Sequence, residues 1–150
     1  RQNWTELSQR QLHGVARQDA KRQRQTRKLL EQGALRTGED FRRAAFIFQH
    51  GDEPEDYLLA HTLAMVAVAR GDETALWIGA ATLDRYLQSV DQPQIFGTQF
   101  KSAKKAAATQ KPYDRDLLPD ALRRQFGVPP LATQEQQLER YKQQFTSGDR

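Results

Sequence analysis

Residues 51–66 read G-D-E-P-E-D-Y-L-L-A-H-T-L-A-M-V, and residues 71–86 read G-D-E-T-A-L-W-I-G-A-A-T-L-D-R-Y. Both begin with G-D-E and continue with an aromatic (Tyr57, Trp77), an aliphatic (Leu58, Ile78), then Ala60/Ala80, Thr62/Thr82 and Leu63/Leu83. A spacing of about 20 residues corresponds to one helix plus one turn rather than a whole helical hairpin. Two consecutive helices built to one plan predict an all-α fold. We expect a small helical bundle or short helical-repeat core, with a long N-terminal helix and an extended C-terminal arm. On this pattern Leu63 and Leu83 both point into the core.

Working outward, helix punctuation places the remaining elements. Asn3 with Glu6 is an N-cap pair opening a long polar helix to about Gln32, stopped by Gly33. Its apolar stripe is thin: Trp4, Leu7, Leu12, Val15 and Ala16, then little before Leu29 and Leu30. Thr37 with Asp40 opens a second helix, with Phe41, Ala44, Ala45 and Phe48 on one face and His50-Gly51 at its end. Asp52 is expected to cap the first repeat helix, with Pro54 in its first turn, and Asp72 to cap the second, which runs to Gln88 or Ser89. The first repeat helix is apolar on nearly every side, as a helix covered by neighbours would be. Residues 94–100 read as a packed loop, and 101–111 as a basic, Ala-rich segment. Pro119 and Asp120 start a short helix closed by Gly127. Thr133 with Gln136 caps a last helix to about Phe145.

Composition narrows the classes. Apolar residues make up 37% of the chain and charged ones 28%, so much of it must be solvated or cover a partner. The absence of cysteine excludes disulfides, thiol nucleophiles and Cys-based metal sites. The longest apolar run, residues 58–69, falls short of the roughly 18 to 20 residues that span a bilayer. No signal peptide is visible, and a start at Arg1 fits a processed or trimmed chain, so the compartment stays open between bacterial cytoplasm and export. Asn3-Trp4-Thr5 matches a glycosylation sequon but reads as a helix cap and a buried tryptophan.

The net charge of +4 is segregated: residues 1–36 carry +6, residues 37–100 carry −6 and residues 101–150 carry +4. This suggests a basic N-terminal helical arm (1–36), a helical core with the internal repeat (37–100) and a basic C-terminal arm with short helices (101–150). The run from Lys21 to Lys28 lacks the interleaved aromatics and motifs of nucleic-acid modules. We therefore expect a solvated helix face, or arms that dock on the acidic centre or on an acidic partner.

The stretches F-R-R-A-A-F-I-F-Q-H-G-D-E-P-E-D-Y-L-L-A-H (41–61), A-L-W-I-G-A-A-T-L-D-R-Y-L (75–87) and P-Q-I-F-G-T-Q-F (93–100) carry a further signal. Together they resemble a family of uncharacterised bacterial proteins bearing Q-H-G, A-H, W-x-A-A-x-x-D-R and Y-G-T-Q motifs on a small helical domain. The resemblance spans roughly residues 37–128. It implies a helical fold and a bacterial origin, and no activity. Phe96 stands where that family often has tyrosine.

The polar residues of these motifs are the chemical candidates: His50, His61, Asp84, Arg85, Thr98 and Gln99. Trp77, Ala81, Asp84 and Gln88 share one helix face, which would set a carboxylate beside a buried aromatic. In the structural reading Asp84 and Arg85 form an ion pair, His61 is a satisfied core histidine, and the G-T-Q side chains cap a helix end. In the catalytic reading a histidine (His50 or His61) is the base, oriented by Asp84, while Arg85 holds an anion and Thr98 and Gln99 donate hydrogen bonds. A metal reading would use both histidines and Asp84. However, His50 precedes the turn at Gly51, so their spacing does not put them on one face. The expectation is a non-enzymatic protein-interaction or assembly module of a bacterial complex, binding another subunit or itself, with no cofactor, no metal and no transmembrane segment. A small hydrolase- or lyase-like enzyme is the alternative.

Overall fold

A computed structural model describes the backbone of residues 4–102 and 107–146 and the side chains of 17–102 and 107–144. It contains six helices and no strand among these residues: α1 (Trp4–Glu31), α2 (Gly38–Phe48), α3 (Pro54–Ala69), α4 (Leu76–Ser89, preceded by a 3-10 turn at Glu73–Ala75), α5 (Asp120–Gln125) and α6 (Leu131–Thr146). The fold is all-α. The Asn3 cap and the side chains of Trp4, Leu7, Leu12, Val15 and Phe145 lie outside the described residues.

Local chemistry explains most boundaries. Thr37 Oγ1 accepts from Asp40 N (3.1 Å) while Asp40 Oδ2 accepts from Thr37 N (3.0 Å), closing a capping box on α2. The Thr37 and Arg36 backbone N–H groups hold the Asp40 carboxyl below its ordinary value. Asp72 caps the turn before α4, accepting from Thr74 N (3.2 Å) and the Thr74 hydroxyl. These Thr74 bonds, with Arg42 Nε at 2.7 Å, lower the Asp72 pKa. Two expected caps move. Asp52 is exposed and does not cap α3; Glu53 occupies that position, its N–H donating to Asp56 Oδ2 (3.2 Å). Thr133 lies inside α6, whose first N–H (Leu131) is met by Asp120 Oδ1 from α5 at 3.0 Å. A tertiary acceptor has replaced the local cap.

Helices α2, α3 and α4 form the centre. Arg42 reaches Asp72 and Arg70 Nη1 donates to Arg36 O (2.7 Å), so α2 and α3 run antiparallel. Their interface is alanine-rich: Ala44, Ala45, Ala60, Ala64, Ala67 and Ala75 surround Phe48, Leu63 and Ile78. Small side chains bring the helix axes close, and a Cβ on Gly79 would strike Met65 Cε across the α3–α4 seam. A second cluster joins Ala80 and Leu83 of α4 to Phe96, Val128, Leu118 and Phe126. Helix α4 is therefore the wall common to two small cores.

The two G-D-E segments do not start their helices alike, with α3 beginning at Pro54 behind Glu53 and α4 at Leu76 after the Asp72-capped turn, nor do they place equivalent residues in equivalent environments. Ala60 and Ala80 are both fully buried, yet Thr62 is exposed and Thr82 buried, and Leu58 is exposed while Ile78 is buried. Leu63 lies in the first core; Leu83 is half-buried against the second. Helix α3 is not covered all round, since Leu58, Thr62 and Ala69 face outward. Successive helices meet different neighbours on opposite sides, so equivalent residues cannot all be buried alike.

Residues 107–144 are packed onto the centre rather than extended away from it. Ala108, Gln110, Arg123, Val128 and Gln134 are buried, and Phe96 meets Phe126 in a tilted ring contact (centroids 4.8 Å, 56°). Phe100 meets Tyr141 of α6 (5.0 Å). The expected division near residue 100 thus runs through a shared hydrophobic cluster.

Leu63→Ala should destabilise the chain by about 2 to 5 kcal/mol, because the alanine-lined first core has little freedom to collapse. Leu83→Ala should cost clearly less, since part of that side chain already meets water. Urea unfolding of both variants checks the order; equal losses would contradict the two-core assignment.

Candidate functional site

Asp84 is fully buried in the middle of α4. The loop after α4 folds back over it so that Oδ1 accepts from Ile95 N (2.8 Å) and Phe96 N (3.0 Å). Oδ2 accepts from Thr98 N (3.0 Å) and Thr98 Oγ1 (2.7 Å). Four donors and no acceptor meet the two oxygens, the pattern of a carboxylate held in a cradle of backbone amides. Gly97 makes the turn of that cradle. Its φ is +83°, and a Cβ there would overlap Gln134 Oε1 and the Tyr113 hydroxyl.

The outer side of the loop is held by buried amides. Gln94 Nε2 donates to Gln99 O (2.9 Å) and Gln110 O (2.6 Å), and its Oε1 accepts from Gln99 N (3.0 Å). Gln110 Nε2 donates to Gly97 O (2.9 Å) and Gln134 Oε1 (3.1 Å), while Gln134 Nε2 donates to Phe96 O (3.0 Å) and Pro129 O (2.8 Å). The Tyr113 hydroxyl lies 3.0 Å from both Phe96 O and Gln134 Oε1 and accepts from Arg123 Nε (3.2 Å). Arg123, 1% exposed, also donates to Asp120 Oδ1 (3.2 Å) and Arg115 O (3.0 Å). Loop, α5 and α6 form one hydrogen-bonded unit around residues 94–99. Sequence reading missed Gln110, Tyr113, Arg123 and Gln134, and used Gln94 only as part of a motif. Glutamines are mostly surface residues, and no periodicity marks a buried one.

The other candidates disperse. Asp84 and Arg85 form no ion pair, because consecutive helix residues point about 100° apart. Arg85 Nε instead donates to Gln99 Oε1 (3.2 Å), and Nη1 donates to Gln49 O (2.9 Å) at the end of α2. The helix-end cap expected of G-T-Q is thus made by Arg85, a cation on a helix C-terminus, steadied by Gln99. Gln99 Nε2 donates to Thr98 Oγ1 (3.0 Å). Trp77 is 43% exposed and not a buried neighbour of Asp84. His61 is half-buried, with Nδ1 2.8 Å from Gly79 O. His50 is exposed at the end of α2. The structure brings Asp84, Thr98, Gln99 and Arg85 into one network and gives both histidines other surroundings.

Chemically, each Asp84 oxygen already accepts two protein donors, so the carboxylate orients a loop rather than an imidazole. No group of three or more His, Cys, Asp or Glu side chains is placed to hold a metal ion among the described residues, and no described helix is long and apolar enough to cross a membrane. No family model matches this chain, and no curated protein or solved structure matches it.

Asp84→Asn turns one acceptor into a donor facing backbone N–H groups. It should cost about 3 kcal/mol, the loss of charge-assisted bonds plus an unsatisfied buried donor, read as a lower urea midpoint. A variant as stable as the parent would remove the cradle's structural role. Burial pushes the Tyr113 phenol above its ordinary 10.0, against the smaller opposing effect of Arg123. The unfolded chain then releases that proton first, so this contribution is present below pH 10 and is lost as pH rises through the folded value. Melting temperature should fall less steeply above about pH 10 in Tyr113→Phe than in the parent; parallel curves would contradict it.

Proposed function

We propose that this chain is a non-enzymatic protein-interaction module that works through its long N-terminal helix. The observation that supports the reading is the disposition of α1. Twenty-eight residues span roughly 42 Å at 1.5 Å per residue, longer than the neighbouring central helices. Between Arg17 and Glu31 its inward contacts are few. Thr26 is buried, Leu30 packs on the first core, and Arg27 lies over the Phe48 ring (5.2 Å) and 3.8 Å from Asp56. The other residues between 17 and 31 are mostly exposed. Helices derive most of their stability from packing an apolar face, and this stretch has little to pack. A second surface would supply what the chain's own core does not.

The saturation of Asp84 and the engagement of His61 point the same way. The side chains with the most chemical character serve the fold, whereas the exposed surface carries charge and single large apolar groups such as Leu29, Leu58 and Trp77. Exposed aromatic and aliphatic groups ringed by charge are the material of interfaces.

Limited trypsin digestion tests the reading, because α1 displays Arg17, Lys21, Arg22, Arg24 and Lys28. The purified full chain, kept dilute in high salt, should be cut first within residues 17–28 and leave residues 37–144 intact. Cleavage in α1 should slow markedly once the chain is in its assembly. Resistance of α1 in the isolated monomer would mean the helix needs no second surface and would defeat the proposal.

A further inference from the structure

The exposed side of α1 has a defined chemistry. Arg17, Lys21, Arg24 and Lys28 are all exposed and follow i, i+4, i+7, i+11 spacing, which places them within about 60° of one another on a helix. Asp19, Gln23, Thr26 and Leu30 follow the same spacing two residues later, and these are the half-buried or buried positions. Two residues is about 200° of rotation, so the basic stripe faces directly away from the core over roughly 16 Å of helix. None of its four cations has an ion pair among the described residues.

A matching surface exists on the same chain. Asp52, Glu53 and Glu55 are exposed at the start of α3 and form no ion pair among the described residues. Within one molecule α1 already touches this corner through a single pair, Arg27 with Asp56 at 3.8 Å. The stripe itself cannot follow, because it lies on the far side of the helix. Among the described residues each end of the charge pairing is therefore left open, and the corner of another molecule fits the stripe. Leu29 (43% exposed) flanks the stripe, and Leu58 (39% exposed) lies one turn beyond Glu55, so an apolar contact is available beside the charges.

We infer that the occupant of the basic face of α1 is a second copy of this chain, which presents its Asp52/Glu53/Glu55 corner. This rests on the interaction reading and names its partner. Charge pairs steer and register the encounter, while Leu29 and Leu58 give it a desolvated contact. The chain supplies both halves, +6 in residues 1–36 and −6 in residues 37–100. An external polyanion would match only the first half.

Sedimentation velocity on the full chain tests it. At about 50 mM salt the average mass should exceed one chain, and at about 500 mM it should fall to one chain, because exposed charge pairs are screened within a few ångströms there. Reversing the stripe (R17E, K21E, R24E, K28E) should weaken association at least about tenfold, as should reversing the corner (D52K, E55K), with each variant melting close to the parent. Mixing the two reversed chains restores opposite charges at both contacts and should restore association. A parent that stays monomeric at low salt, or reversed chains that do not pair when mixed, overturns the inference. A monomeric parent that binds a DNA duplex through the stripe overturns it in favour of a nucleic acid. If the parent is monomeric but α1 remains the first trypsin target, only the second copy fails and the interaction reading stands.

Discussion

The carboxylate of Asp84 is the point on which the second half of the molecule depends. A charge buried in the middle of a helix is costly unless its lone pairs are met. Here three backbone N–H groups and one hydroxyl meet them, all from residues 95–98. The exchange is mutual: the loop's own amides have no sheet or helix partner, and the carboxylate gives them one. With its inner side satisfied this way, the loop turns its carbonyls outward. Gln110, Tyr113 and Gln134 then use Phe96 O and Gly97 O as anchors. Helices α5 and α6 thus reach the central helices through the loop, as well as through the small cluster of Phe96, Phe126 and Val128.

That chain of dependence explains why a basic, weakly apolar C-terminal segment folds onto the centre. Its hydrophobic contribution is modest, and polar contacts between fully buried side chains do much of the positioning. Such networks are unforgiving, because one unsatisfied member leaves a desolvated donor or acceptor. Arg123 is the extreme case: a nearly inaccessible guanidinium whose donors go to Asp120, the Arg115 carbonyl and the Tyr113 hydroxyl. Asp120 in turn receives the first N–H of α6. One carboxylate so joins α5, α6 and a buried cation.

The first half of the molecule is built differently. Its core is alanine-rich and its helices are stopped and started by local devices, the Thr37–Asp40 box and the Asp72 turn among them. Arg85 connects the halves, leaving its neighbour Asp84 to the loop and closing the end of α2 at Gln49. Against this compact body the solvated face of α1 stands out, as the place where charge is displayed rather than consumed.

Several features were legible from residue order alone: the helix class, the starts of α2 and of the turn before α4, and the end of α4. These depend on short-range physics, in which a side chain caps the backbone three residues away or apolar positions recur with the helical period. The tertiary structure alone decided what Asp84 binds, that Arg85 turns away from it, that Trp77 faces water and Leu83 serves a second core, and that three distant glutamine and tyrosine side chains (Gln110, Tyr113 and Gln134) close over one loop. It also replaced two expected caps, Asp52 by Glu53 and Thr133 by Asp120. In each case the partner lies on another element or depends on which way a helix face is turned. A buried glutamine and a solvated one are the same letter in the sequence; only the packing of α5 and α6 on residues 94–99 tells them apart.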